Sequence, residues 1–307
     1  MAVYTPVDAS AVRAFIQGHG VGEYRDHQGI TQGVENTNYH LFTDAGRYVL
    51  TLFEKRVNPE NLPFIFSFIS HLARAGVPVP ECMGSPGVLA GKPAAIITFL
   101  DGRDIALEDV TPGHAAQVGA ALARMHLAAR DFAPARINPV GVPEWRALFD
   151  AVREAADPAL FELAQTALDE AASLAWGALP SGAVHADLFV DNVFFDSTGT
   201  LSGVIDFGFA CTAPYAYDLA ITLNAWCYDR RGKARVDCVA AMLAAYRALR
   251  PLDADERAAF PALRRAAALR FLATRLYDWT FTPPGADVVR KDPDEYAAKL
   301  KADFQWP

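Results

Sequence analysis

Four polar side chains between residues 185 and 206 carry the most specific chemistry this sequence offers. The segment reads His185-Ala186-Asp187-Leu188-Phe189-Val190-Asp191-Asn192, then Val193-Phe194-Phe195 and a turn at Ser197-Thr198-Gly199. It continues as Leu201-Ser202-Gly203-Val204-Ile205-Asp206-Phe207-Gly208. Asp187 and Asn192 lie five residues apart on a predicted loop, and Asp206 follows a short predicted strand. A loop–strand–turn–strand path folds back on itself, so it can bring three oxygen-bearing side chains to one point. Phosphoryl transfer from ATP asks for such groups. One carboxylate orients an acceptor hydroxyl and takes its proton, while hard oxygen ligands hold Mg²⁺ on the β- and γ-phosphate oxygens. Asn192 offers a neutral ligand and Asp206 an anionic one, which suits a metal that keeps several waters. Singly, Asp187 and Asp191 read equally well as loop caps and Asp206 as a turn former. What sets the segment apart is the H-x-D-x-x-x-x-N spacing with D-F-G downstream. His185 reads as a brace for backbone groups beneath the loop.

The elements that would position these groups follow from pattern. Asp8 caps a predicted helix carrying Val12, Phe15, Ile16 and His19, ended by Gly20. Strand patterns follow at 23–32, 37–43 and 47–53, the last two joined by the turn Asp44-Ala45-Gly46. Asn58-Pro59 opens a helix running to about Gly76, which Val77-Pro78-Val79-Pro80 cannot continue. Two more strands are expected, around Val88 and at 94–100. Beyond Asp101-Gly102 the pattern is helical, with a strand-rich island at 182–205 and helices near 111–126, 144–155, 158–176, 214–227, 233–249, 254–280 and 293–302. This predicts a bilobal α+β chain: residues 1–101 as an antiparallel-sheet, nucleotide-binding N-lobe, and 102–307 as a mostly helical catalytic and substrate lobe, with a ligand cleft between them.

Composition narrows the partners. The 307 residues carry 28 Lys and Arg against 36 Asp and Glu, a net charge of −8. Such a chain has no overall field for nucleic acid or anionic lipid, so neither is expected as a partner. The four cysteines show no C-x-x-C spacing, and the first residues lack a basic region followed by an apolar stretch. Both features point to a reduced, cytoplasmic protein without a membrane span.

The segment His185–Asn192 with Asp206-Phe207-Gly208 resembles the kinase-like phosphotransferase fold shared by aminoglycoside phosphotransferases, choline kinases and one branch of bacterial homoserine kinases. The homoserine kinase branch is the closer match. Gly33-Val34-Glu35-Asn36-Thr37-Asn38-Tyr39, Gly46 to Glu54 and Gly91-Lys92-Pro93-Ala94-Ala95-Ile96 resemble its N-lobe. Tyr217-Asp218-Leu219-Ala220-Ile221 and Asn224-Ala225-Trp226-Cys227 resemble its C-lobe. The resemblance spans about residues 10–280. It implies Asp187 as the base, Asn192 and Asp206 as magnesium ligands, and adenine contacts from main-chain groups at Thr98 and Leu100. Gly33, Asn36, Thr37 and Asn38 sit where a kinase lobe places its phosphate-covering turn, although Asn is also favoured in plain hairpin turns.

One expected residue is missing. A phosphate-contacting lysine belongs near Thr51 on the third strand, yet Lys55 and Arg56 come only after it, and 64–71 offers no helical glutamate partner. Either one of these cations reaches back, or the nucleotide is held with fewer charges. Homoserine carries a carboxylate, for which arginine is the preferred partner. Of Arg264, Arg265, Arg270 and Arg275 on one helical segment, Arg275 is the candidate, with a salt-bridge role as the alternative. Asp218 reads as a helix cap or a brace of the loop. The implied activity is ATP- and Mg²⁺-dependent phosphorylation of homoserine to O-phosphohomoserine, on the threonine pathway, by a monomer or homodimer. The alternatives are a kinase for another amino alcohol or an aminoglycoside, and a non-catalytic nucleotide-binding protein.

Overall fold

Alternating apolar and polar residues in the front third produce strands, as the pleat requires. The computed structural model describes residues 4–30, 36–54, 58–282 and 290–306. Gly33, Lys55 and Arg56 lie outside them. Five strands, β1 (Tyr24–Gly29), β2 (Thr37–Thr43), β3 (Arg47–Leu52), β4 (Cys82–Leu89) and β5 (Lys92–Thr98), form an antiparallel sheet in the order β1-β2-β3-β5-β4. Helix α1 (Ala9–Ile16) starts where Asp8 accepts the amides of Ser10 and Ala11 at 2.8 and 2.9 Å. Asn58 caps a 3-10 turn, Pro59–Asn61, and α2 (Leu62–Arg74) follows it.

The two faces of this sheet differ. Tyr39, Leu41, Leu50 and Ile96 pack with Val12 and Ile16 of α1. Ala95, Leu62 and Phe66 form a smaller cluster towards α2. Because β2, β3 and β5 pair Asn38 with Thr51 and Thr51 with Ala95, the side chains of Asn38 and Thr51 share the α2 face.

The rest of the chain is helical: α3 (Pro112–Ala128), α4 (Val142–Val152), α5 (Pro158–Ser173), α6 (Tyr215–Trp226), α7 (Val236–Leu249), α8 (Ala254–Phe281) and α9 (Pro293–Lys301). Two short pairs interrupt it, β6 (Ser181–Val184) with β9 (Cys211–Pro214), and β7 (Val193–Phe195) with β8 (Leu201–Val204). Every residue of α6 is buried. Gly119 lets α3 lie directly against α7, since a side chain there would collide with the Met242 carbonyl. Among the described residues no helix is long and apolar enough to cross a membrane.

The chain forms two compact units, Met1–Asp101 with Gly203–Gly208, and Gly102–Ser202 with Phe209–Pro307. The short stretch 203–208 thus belongs with the sheet rather than with the helices that surround it in sequence. Val204 donates its amide to the Pro78 carbonyl at 2.8 Å, and Phe207 stands edge-on to Phe68 with ring centroids 5.9 Å apart. Gly203, having no side chain, leaves room for Leu100.

Candidate active site

The helical unit carries Asp187 and Asn192 on a loop between β6 and β7. Just before Asp187 the backbone of Ala186 enters the left-handed region at φ 63°, a conformation that disfavours any residue with a Cβ. The surroundings hold it there. Asp218, fully buried in the first turns of α6, accepts the Ala186 amide at 2.8 Å and the His185 amide at 3.0 Å. It is therefore a brace of the loop, not a helix cap. His185 Nδ1 accepts the Asp187 amide at 3.2 Å, and Asn192 Nδ2 donates to the Asp187 carbonyl at 2.8 Å. Trp226 Nε1 donates to the Leu188 carbonyl at 2.9 Å. With Nδ2 spent on the loop, Asn192 keeps Oδ1 as its acceptor, the atom a divalent cation would need.

Behind Asp218 lies a buried polar chain. His126 Nε2 stands 3.0 Å from Asp218 Oδ2, and its Nδ1 2.8 Å from the Tyr246 hydroxyl. Arg250 donates to that hydroxyl at 3.1 Å and to Glu256 at 2.8 Å. Burial pushes the Asp218 carboxyl up, but hydrogen bonds donated by His126 and the Ala186 amide outweigh this and hold it below the usual carboxylate range. Burial pulls His126 down from its ordinary value, so it stays neutral. One direction of donation then runs through the chain: Arg250 to Tyr246, Tyr246 to Nδ1, and Nε2–H to Asp218.

Four of the five arginines of α8 have separate tasks. Arg264 donates to the Asn224 side chain and to the Lys299 and Ala302 carbonyls at the end of α9, where a cation is favoured. Arg265 pairs with Glu170 at 2.8 Å. Arg275 pairs with Glu295 at 2.8 Å and donates to the Asp292 carbonyl at 3.1 Å. The pairing is the salt-bridge role given above as the alternative for Arg275. Only Arg270 turns to the loop, donating to the Ala186 carbonyl.

The sheet unit carries the remaining candidates. Thr51 Oγ1 donates to Asn38 Oδ1 at 2.8 Å, so a neutral hydrogen bond stands where the lysine was expected. Asn38 keeps its amide donors, and Asn36 Oδ1 accepts the Glu54 amide at 3.3 Å. Thr37 points to the opposite face and is fully buried. Its hydroxyl donates to Glu54 at 2.8 Å and accepts the amides of Tyr4 and Thr5. Glu54 is also held by Thr5 at 2.6 Å and Lys92 at 2.9 Å. Thr98 exchanges two hydrogen bonds with Glu81, amide to carbonyl at 2.9 Å and Glu81 amide to hydroxyl at 2.8 Å. The main-chain amide and carbonyl of Leu100 have no such partner among the described residues. Asp206 is exposed, also in the left-handed region at φ 63°, with Oδ1 accepting the Gly208 amide at 3.3 Å. Among the described residues no three His, Cys, Asp or Glu side chains converge on a metal position. A carboxylate such as that of Asp206 and an amide oxygen such as Asn192 Oδ1 are hard donors, of the kind that magnesium takes rather than a softer metal.

The sequence model of the phosphotransferase enzyme family matches residues 26–252. This chain belongs to that family. As a phosphotransferase it is 50% identical over 308 residues to a homoserine kinase of Rhodospirillum rubrum, covering 98% of this chain and 95% of that protein. A homoserine kinase of Methylorubrum populi is 48% identical over 309 residues, with 98% and 95% covered. Among solved structures, amicoumacin kinase hAmiN in complex with AMP-PNP, Ca²⁺ and Ami superposes with a TM-score of 0.70 at 17% identity, covering 96% of this chain and 91% of that one. Choline kinase from Cryptosporidium parvum gives 0.67 at 12%, with 95% and 93% covered. The phosphotransferase thus has the protein-kinase-like fold, an antiparallel-sheet part followed by a helical part. Sequence reasoning missed the brace formed by His126, Tyr246, Arg250 and Glu256. Its one visible signal is Asp253-Ala254-Asp255-Glu256, a capping box that the structure contains at the start of α8.

Proposed function

We propose that this phosphotransferase transfers the γ-phosphoryl group of ATP to the side-chain hydroxyl of L-homoserine, giving O-phospho-L-homoserine. The observation that carries the chemistry is the Asp187 loop, whose peptide groups are tied on both sides while its carboxylate-bearing residue stays half-buried rather than sealed in the core. The acceptor follows from the near full-length identity to homoserine kinases. Asp187 orients the hydroxyl and accepts its proton as the oxygen attacks phosphorus. Magnesium, when bound, neutralises charge on the β- and γ-phosphate oxygens. Asn192 Oδ1 and the Asp206 carboxylate are the residues to hold it. Asn192 directly precedes β7 and Asp206 follows β8, and this shared hairpin supports their use on one nucleotide.

Asn38, its amide oriented by Thr51, and Asn36 donate to the phosphates, and the Leu100 main chain meets the adenine. Arg275 is left out of the acceptor site because Glu295 answers its charge. The four cysteines are all free thiols, which supports a reducing, cytoplasmic setting.

A coupled ADP-release assay across homoserine, serine, threonine, choline and kanamycin tests the assignment. Homoserine is expected to turn over best, and Asp187→Asn to lower kcat by about 10²–10⁴-fold. Turnover of choline or kanamycin with homoserine inert would reassign the acceptor. Full activity in Asp187→Asn would remove the base.

A further inference from the structure

Arg270 is the buried arginine of α8 that, among the described residues, meets neither a carboxylate nor the carbonyls of a helix end. It is 2% exposed, yet no carboxylate pairs with it among the described residues, and its Nε has no partner. Its Nη1 donates to the Ala186 carbonyl, and its guanidinium lies over the rings of Phe209 and Phe271, 5.2 and 4.5 Å from their centroids. Burying a cation without an anion is expensive, so a plain tie between α8 and the loop would be made more cheaply by a neutral donor. The neighbouring arginines show the ordinary solutions, carboxylates for Arg265 and Arg275 and helix-end carbonyls for Arg264.

What Arg270 grips is the peptide unit joining Ala186 to Asp187. Asp218 holds the amide of Ala186 from α6, and Arg270 holds its carbonyl from α8. An anion and a cation, both almost wholly buried, thus fix the two ends of a residue whose φ of 63° has no support from its own side chain. Rotation of that carbonyl would swing the Cα–Cβ bond of the next residue, which is Asp187.

We propose that Arg270 is a positioning residue: by anchoring the Ala186 carbonyl it sets the direction of the Asp187 carboxylate towards the acceptor hydroxyl. This rests on Asp187 as the base, as proposed above. A residue that acts on direction alone changes the chemical step and leaves ground-state binding of either substrate nearly untouched.

The test uses the full chain with Arg270→Met, Arg270→Lys, Ala186→Gly and the Arg270→Lys/Ala186→Gly pair, with Asp187→Asn run alongside. Steady-state kinetics against ATP and homoserine are read together with thermal unfolding. Arg270→Met is expected to lower kcat by about 100-fold with both KM values changed less than about threefold. Arg270→Lys is expected to recover about tenfold of that loss, since an ammonium can still donate to the carbonyl. Glycine at 186 adopts that φ without the cost of a Cβ and so needs the clamp less, and the paired variant is expected to lose less than the product of the single losses.

A rise in homoserine KM with kcat unchanged would make Arg270 a substrate ligand and overturn the proposal. So would a lowered unfolding temperature with unaltered kinetics, or strictly multiplicative losses in the pair. If Arg270→Met does not fold, the lysine variant and the pair still decide. Full activity in Asp187→Asn would fell the base assignment on its own, while the Arg270 and Ala186 variants would still report whether the clamp exists.

Discussion

Ala186 and Asp206 share one backbone conformation, φ 63°, and are supported in opposite ways. Alanine has nothing with which to stabilise the left-handed region, so the protein brings groups to it: a buried carboxylate on its amide and a buried guanidinium on its carbonyl. Asp206 stands exposed and supports itself, its own carboxylate accepting the Gly208 amide two residues on, a local turn that aspartate forms readily. The first turn precedes the proposed base, which must meet an attacking oxygen within narrow limits. The second carries a proposed metal ligand, and a bound magnesium would take its other ligands from phosphate and water and so tolerate small displacements.

Removing the outside support should show the largest effect. Asp218→Asn deletes the charge that two amides and His126 converge on, and a loss of about 3–5 kcal/mol in unfolding free energy is expected, read by denaturant titration. A loss below about 1 kcal/mol would mean that the Ala186 turn holds itself.

A second, smaller effect concerns pH. His126 is kept neutral in the fold because burial lowers its pKa, whereas the unfolded chain protonates it near 6.5. The stability it contributes is therefore complete above pH 6.5. It is lost as pH falls from there towards the folded value, at up to about 1.4 kcal/mol per pH unit. His40 is lowered in the same direction, so the measurement is the difference in slope between the wild type and His126→Gln. The substitution should flatten the profile between pH 6.5 and 5, and parallel profiles would show that His126 does not titrate.

The smallest effect belongs to the self-supported turn. Asp206→Asn keeps a side chain that tolerates the left-handed region and still accepts the Gly208 amide. Its unfolding free energy should stay within about 0.5 kcal/mol of the wild type, whatever happens to magnesium-dependent activity. A larger loss would put Asp206 in the same class as Ala186.

The legibility of the molecule follows the range of its interactions. Spacing alone outlined α1, α3 and α5 through α9, because Asp8, Thr111-Pro112, Asp157-Pro158 and Asp253 are local start signals. Strand β4 proved longer than the pattern around Val88 predicts, since its pairing with β5 slips between Met83 and Gly87 and the alternation is lost there. The spaced set at 185–206 was readable because it lies within one short stretch. Its supports come from far along the chain: Asp218 to His126 spans 92 residues, and Arg270 to Ala186 spans 84. Helical spacing could single out Arg275 as easily as Arg270. What separates them is the docking of α9, which delivers Glu295 to one and nothing to the other.

Glu54, two residues past the end of β3, forms a knot with Thr5, Thr37 and Lys92. The polypeptide ahead of α1 is therefore stitched into the sheet rather than draped over it. Proteolytic trimming past Thr5 would leave a half-buried carboxylate short of a hydroxyl donor, one residue from the strand position of Asn38. With Asn38 as the proposed phosphate donor, damage at the start of the chain would then register in nucleotide affinity.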